Sequence, residues 1–201
     1  MKIESNTTYE EYNFNNNDLR FLDIHKSKFI NCTFRNSEIE EASIRSCEFI
    51  NCDFKSARLN VSDINTSAFL NCKFSFIDLF GSKFTDCKMV GSTFEESNML
   101  GVIITRGNWS YRNLKFKNFK NQNLGEINFS RADLTGCNLE NTIFNGAKLI
   151  ETNLSNTKLK GCNFRGAIID GINLSELNLN NVKLDIAQCI ILAKSFGATV
   201  E

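Results

Sequence analysis

The chain has 201 residues, enough for a sizeable core, and its 23 basic and 23 acidic side chains cancel. That balance gives no electrostatic reason to expect direct nucleic-acid binding or attachment to an anionic membrane. No apolar run is long enough to span a bilayer and residues 1–5 do not begin a signal peptide, so the expected location is cytoplasmic.

Residues 1–11 carry one lysine and three glutamates and read as an N-terminal cover or tail, or as a short extra turn. From residue 12 a different order takes over. Every fifth position from Phe14 to Leu184 is a large apolar residue, 35 in succession, and 13 of the 18 phenylalanines fall on them. The centres include Phe14, Phe34, Phe54, Phe74, Trp109, Phe129 and Phe164. Two residues before each centre sits a mostly small residue, as in Ser27, Cys32, Ala42, Cys47 and Cys52. The residue just before the centre is often Asp or Asn, and the two after it are mostly polar.

A period of five matches neither an α-helix nor an uninterrupted strand. It matches a short strand followed by a turn. The small residue and the large centre lie two apart, hence on one face of the strand, and the other positions turn the chain and face water. Repetition of this unit produces a coil with a filled interior.

Ala132-Asp133-Leu134 and Cys137-Asn138-Leu139 show the motif most plainly. The pattern resembles the pentapeptide-repeat family, whose unit is Ala-(Asp/Asn)-Leu-X-X. The resemblance implies an all-β, right-handed quadrilateral parallel β-helix over residues 12–184, with four units per coil. At ~4.8 Å per stacked strand, about nine coils make a rod about 40 Å long.

Seven cysteines (Cys32, Cys47, Cys52, Cys72, Cys87, Cys137, Cys162) occupy the small inward position and read as buried hydrophobes; no metal or other cofactor is expected. Cys189 stands outside the pattern and is expected to pack under the terminal helix. The single histidine, His25, is at an outward position. With no nucleophile–base pair, no phosphate-binding loop and a filled interior, the chain does not read as an enzyme.

Stacking by 20 residues places Ile30, Ile50, Leu70 and Val90 in one outward column beside an Asn31–Asn51–Asn71 ladder. Phe76, Phe80, Leu100, Tyr111 and Phe116 add outward apolar surface. Further on, Arg112, Lys117 and Gln122 occupy consecutive small inward positions after Gly107, where a charge has to reach water or the coil has to distort. This stretch is either a structural irregularity or, with Arg112 and Lys117, a basic partner-binding patch.

After Leu184 the period changes. Asp185 is a helix N-cap with Gln188 in capping-box relation, and Ile186, Cys189, Ile190 and Ala193 share one helical face. Ile191, Leu192 and Phe196 make the helix apolar on more than one side, so residues 185–201 are expected to cap the last coil and to dimerise through Ile186, Ile190, Ile191, Leu192 and Phe196.

The terminal helix followed by residues 196–201, and Ile104-Thr105-Arg106 close to Trp109, resemble the Qnr-type group within the family. That resemblance implies a homodimer that binds type II topoisomerases (DNA gyrase, topoisomerase IV) as a DNA-mimic-like rod and modulates quinolone sensitivity. The neutral charge and an unbroken, loop-free register suit a second reading, a generic protein-interaction scaffold with another partner.

Overall fold

A computed structural model describes residues 3–200. The chain forms two compact units, Met1–Asn108 and Trp109–Glu201, each a right-handed four-sided parallel β-helix with 20 residues per coil.

In the first unit two sides are built of three-residue strands. One sheet has the order β1 (Thr8–Glu10), β3 (Lys28–Ile30), β5 (Glu48–Ile50), β7 (Ala68–Leu70). The other runs β2 (Asp23–His25), β4 (Ser43–Arg45), β6 (Asp63–Asn65), β8 (Lys83–Thr85), β9 (Ile103–Thr105). All pairs are parallel, with each residue opposite the one 20 further on. The other two sides are held by single parallel bridges such as Asn13↔Thr33 and Asp18↔Glu38.

The ladder begins before residue 12. Thr8–Glu10 pairs with Lys28–Ile30, Tyr9 is buried, and the Asn6 amide donates to the His25 carbonyl at 2.9 Å. Residues 6–11 are therefore part of the first coil, and Tyr9 extends the series of centres by one. Met1, Lys2 and Glu201, the extremities of the expected cover and of the dimerisation segment, lie outside the described residues.

The interior of this unit is aromatic. Tyr9, Phe29, Phe49 and Phe69 stack face to face at 5.1, 4.7 and 4.8 Å, and Phe14, Phe34, Phe54, Phe74 and Phe94 do the same at 4.7–5.1 Å. Parallel strands lie ~4.8 Å apart, the same distance at which planar rings stack in contact, so a phenylalanine column fits the coil rise without offset.

Corners come in two kinds. On the bridged sides the centre's carbonyl accepts from the amide three residues on, as in Ser37 to Phe34 (3.2 Å) and Ala57 to Phe54 (3.0 Å). On the strand sides from Ser27 to Cys87 the inward small residue is always Ser or Cys, and its side chain donates to the carbonyl two residues back. Examples are Cys52 to Ile50 (3.5 Å) and Ser67 to Asn65 (2.9 Å). A hydroxyl or thiol there serves the corner that the backbone leaves open.

The residue two past the centre has φ near +50° to +75° at nearly every corner. Asn and Gly suit this left-handed position best. Asn31, Asn51 and Asn71 occupy it, linked amide to amide at 3.2 and 3.4 Å. Gly91 continues the row, and a Cβ there would lie 1.9 Å from the Asn71 side-chain oxygen.

From Leu114 on, the second unit uses the closed corner at nearly every centre, for example Lys117 to Leu114 (3.3 Å) and Cys137 to Leu134 (3.0 Å). Its centres are mainly leucine, buried at Leu114, Leu124, Leu134, Leu139, Leu149, Leu154 and Leu159. Regularity fails in the last coil, where Leu174–Glu176 forms a 3-10 turn and Leu177, Leu179 and Leu184 are only half-buried.

Helix α1 (Ile186–Ser195) follows. Asp185 caps it and the reciprocal Gln188 bonds complete a capping box. Gln188 is also the docking residue: its Nε2 donates to the carbonyls of Phe164 (2.5 Å) and Ala167 (2.8 Å). Ile191, Leu192 and Ala193 are half-buried, whereas Ile186 (83% exposed), Cys189, Ile190 and Phe196 face out. Cys189 is thus not packed under the helix as expected, because the helix turns its Gln188 side, not the Ile186–Cys189 side, to the coil.

Candidate interaction surfaces

Phe14, Phe34, Phe54, Phe74, Trp109, Phe129 and Phe164 are all buried, and the space between them is filled by the small column. Among the described residues no group of three His, Cys, Asp or Glu is placed to hold a metal ion. No helix among them is long and apolar enough to cross a membrane.

The seven inward cysteines are free and buried. Burial pushes the Cys87 and Cys162 thiols up to about 12 and that of Cys137 to about 11. Cys52, hydrogen-bonded to Cys32, which lowers it, and to Cys72, which raises it, also reaches about 12. Neutral thiols of this kind act as hydrogen-bond donors, and Cys137 donates to the Leu114 carbonyl at 3.0 Å. His25 is the exposed last residue of β2, with its Nε2 3.4 Å from the Asn6 side-chain amide.

Ile30, Ile50 and Leu70 stand in strict register at the ends of β3, β5 and β7, and Val90 follows. The first three are half-buried and only Val90 is exposed, so this column presents less apolar surface than its composition suggests. More is exposed at another corner of the same unit. Phe80 and Leu100 (46% and 58% exposed) stack one coil apart, flanked by exposed Val61 and Ile103. The Val61 amide donates to the Phe80 carbonyl (2.8 Å), that of Gly81 to Leu100 (3.0 Å), and that of Ile103 to Ser82 (3.0 Å), which fixes the four as neighbours. Gly81 and Gly101 leave the patch flat. Phe76, also exposed, carries Lys55 over its ring at 5.7 Å. Sequence reasoning picked out Phe76, Phe80 and Leu100 and missed Val61 and Ile103; for Val61 the signal was its place in one row with Gly81 and Gly101.

Arg112 is buried at 7% exposure, so it is not part of an exposed basic patch. Its Nε donates to the Ser110 carbonyl at 2.9 Å, and desolvation lowers its pKa. Lys117 and Gln122 are half-buried. The backbone is not distorted to house them: Asp133, Asn138 and Ile143 donate to the carbonyls of Arg112, Lys117 and Gln122 at 2.7, 3.0 and 3.0 Å. Nearby, Phe116 is 76% exposed and its ring lies over Gly136, where a Cβ would come within 2.5 Å.

Ten of the acids form ion pairs with bases on the coil above, below or beside them. Arg106–Asp86 (2.6 Å), Arg45–Asp23 (2.5 Å), Lys120–Glu140 (2.7 Å) and Arg131–Glu151 (2.8 Å) all join residues about 20 apart. The partner cation holds Asp86, Glu140 and Glu151 below the usual carboxylate range. Arg20 holds Asp18 at about 2. Such solvent-exposed pairs are each worth little in stability.

A model of the pentapeptide repeat region matches residues 22–102, and one of pentapeptide repeats in eight copies matches 118–149 and 147–185. The stretch between them holds Gly107 and Arg112. Among curated proteins none matches this sequence. The fold is similar to that of a trypsin-treated variant of QnrB1, a plasmid-mediated fluoroquinolone resistance protein, with TM-score 0.87, 19% identity, and coverage of 98% of this chain and 99% of that one. Full-length QnrB1 gives TM-score 0.67 at 19% identity, covering 98% and 100%.

Proposed function

Because this chain belongs to the pentapeptide-repeat family, we propose that it is a non-enzymatic protein-binding module that engages a type II topoisomerase, DNA gyrase or topoisomerase IV, and alters its response to quinolones. The observation that carries the reading is the end-to-end likeness of fold to a fluoroquinolone resistance protein, terminal helix included. The protein acts as a homodimer in this reading. Ile186, Ile190 and Phe196 form the outward face of α1, and a second copy would cover them.

Mimicry of DNA is the least supported part of this reading, because the net charge is zero and ten of the acids are engaged in ion pairs. The Val61–Phe80–Leu100–Ile103 patch favours a second reading, a scaffold for some other protein partner, in which contact is apolar and not electrostatic. A gyrase supercoiling assay with and without ciprofloxacin separates the two. Inhibition, or protection from drug-induced cleavage, at micromolar protein supports the first; neither effect at that concentration sinks it. Light scattering at micromolar concentration checks the dimer, and a monomer mass would remove it.

A further inference from the structure

The last coil of the second unit is closed on two sides and open on the other two. On the closed sides, Leu149 donates to Ile168 (2.8 Å) and Phe164 to Lys183 (2.9 Å), as in the preceding coils of this unit. On the open sides the ladder reaches Leu134 to Asn153 (2.9 Å), Leu139 to Lys158 (2.9 Å) and Asn141 to Lys160 (3.0 Å), and then stops. The next rungs would run from Leu154 to Asn173, Leu159 to Asn178 and Gly161 to Asn180. Among the described residues no backbone hydrogen bond crosses from 152–161 to 173–181. The 3-10 turn Leu174–Glu176 stands where the regular corner would be and holds the coils apart.

The gap is a groove of about 560 Å³ along Thr157–Lys160 and Asn178–Asn181. The wall formed by residues 157–161 is the free edge of a parallel ladder, and among the described residues its backbone amides have no bond across the opening. Such edges are templates for a further strand. Its charge is one-sided. Glu140, the acid on this wall, is engaged by Lys120 at 2.7 Å, which leaves Lys158 and Lys160 facing solvent beside the opening. Asn178, Asn180 and Asn181 add neutral amides.

We propose that this groove takes up an extended, acidic segment of a partner protein as an added β-strand. Backbone hydrogen bonds to Leu159 and Gly161 would set its register, and Lys158 and Lys160 would select its charge. A five-residue edge spans roughly 16 Å, so the core of the segment is about five residues long. The inference does not rest on the topoisomerase reading.

The test uses the full chain and a fluorescein-labelled octapeptide of alternating glutamate and valine, read by fluorescence anisotropy. Saturable binding is expected, weakening at least tenfold for the Lys158→Glu/Lys160→Glu variant and for a peptide N-methylated at alternate amides. Both lysines are exposed, and circular dichroism checks that the variant keeps its fold. Hydrogen exchange supplies a second readout: the Leu159 and Gly161 amides, fast in the free protein, should slow on saturation with the peptide. Absence of binding overturns the proposal. So does binding that N-methylation leaves unchanged, or protection of these amides in the free protein that grows with its own concentration, which would assign the groove to a second copy.

Discussion

The two units obey the same period of five and fill it differently. The first stacks phenylalanines in two columns, opens two of its four corners and stitches them with Ser and Cys side chains. The second packs mostly leucine and closes its corners with backbone bonds. Flat rings at the strand spacing touch face to face, whereas leucines mesh less directionally. The contrast shows that the repeat specifies a register, and that two distinct packings satisfy it.

The largest effect expected from breaking this contrast is at Phe49, stacked at 4.7 and 4.8 Å on Phe29 and Phe69 and edge-on to Phe54 at 5.5 Å. Phe49→Ala should cost about 3–5 kcal/mol by urea unfolding. Phe49→Leu tests the column itself. If stacking adds to burial, leucine should still lose more than the ~1.5 kcal/mol that a volume-conserving swap costs. A loss below that would mean the aromatic column is no better than the leucine one.

The second test uses the thiols, which are concentrated in the first unit. Cys52 and Cys87 there, and Cys137 and Cys162 in the second, have folded pKa values of about 11 to 12 against an ordinary 9.0. A raised acid pKa means that the folded state holds a proton the unfolded chain has lost. Stability is therefore complete below about pH 9 and falls as pH rises toward 12, by about 1.4 kcal/mol per pH unit for each thiol. Cys87→Ala should make the alkaline loss shallower by one proton, and an unchanged slope would contradict the assignment. At pH 8, native protein treated with iodoacetamide should gain one adduct, at exposed Cys189.

How much of this could be read beforehand follows from what a sequence pattern records. The centres, the inward small column and the helix with its capping box were legible, because each is a spacing of residue types. The start of the coil was not, since Tyr9 carries a polar tip among acids and the series appeared to begin at Phe14. The place of Cys189 was misjudged: it is exposed, although its position in the helix suggested burial beneath it. The last coil instead leaves the Phe164 and Ala167 carbonyls to be satisfied, and an amide, Gln188, meets them. The splayed coil was invisible: Leu174, Leu179 and Leu184 keep the register while the backbone around them leaves it. Arg112 was rightly marked as exceptional, but backbone register and side-chain burial are separable, and only the structure shows that both are kept.

The smallest effect lies at the corners, which both units fill with a mixture of glycine and bulky residues. The first has Gly81, Gly91 and Gly101 beside Phe21, Val61 and Phe76 at left-handed positions, and the second has Gly136, Gly146, Gly161, Gly166 and Gly171 beside Tyr111 and Phe116. A β-branched residue at φ +58° is strained by about 1–2 kcal/mol, and Val61 recovers little by burial because it is 59% exposed. Glycine removes that strain but gives the unfolded chain more freedom, so Val61→Gly should gain only a few tenths of a kcal/mol. Val61→Asn, which tolerates the left-handed region and keeps a side chain, should gain about 1 kcal/mol. Thermal unfolding of the two variants side by side distinguishes strain from entropy. If both lose stability, Val61 is held by contacts with Phe80 and Gly81 that outweigh the strain. The apolar patch would then be part of the fold's own packing and not a surface kept free for a partner.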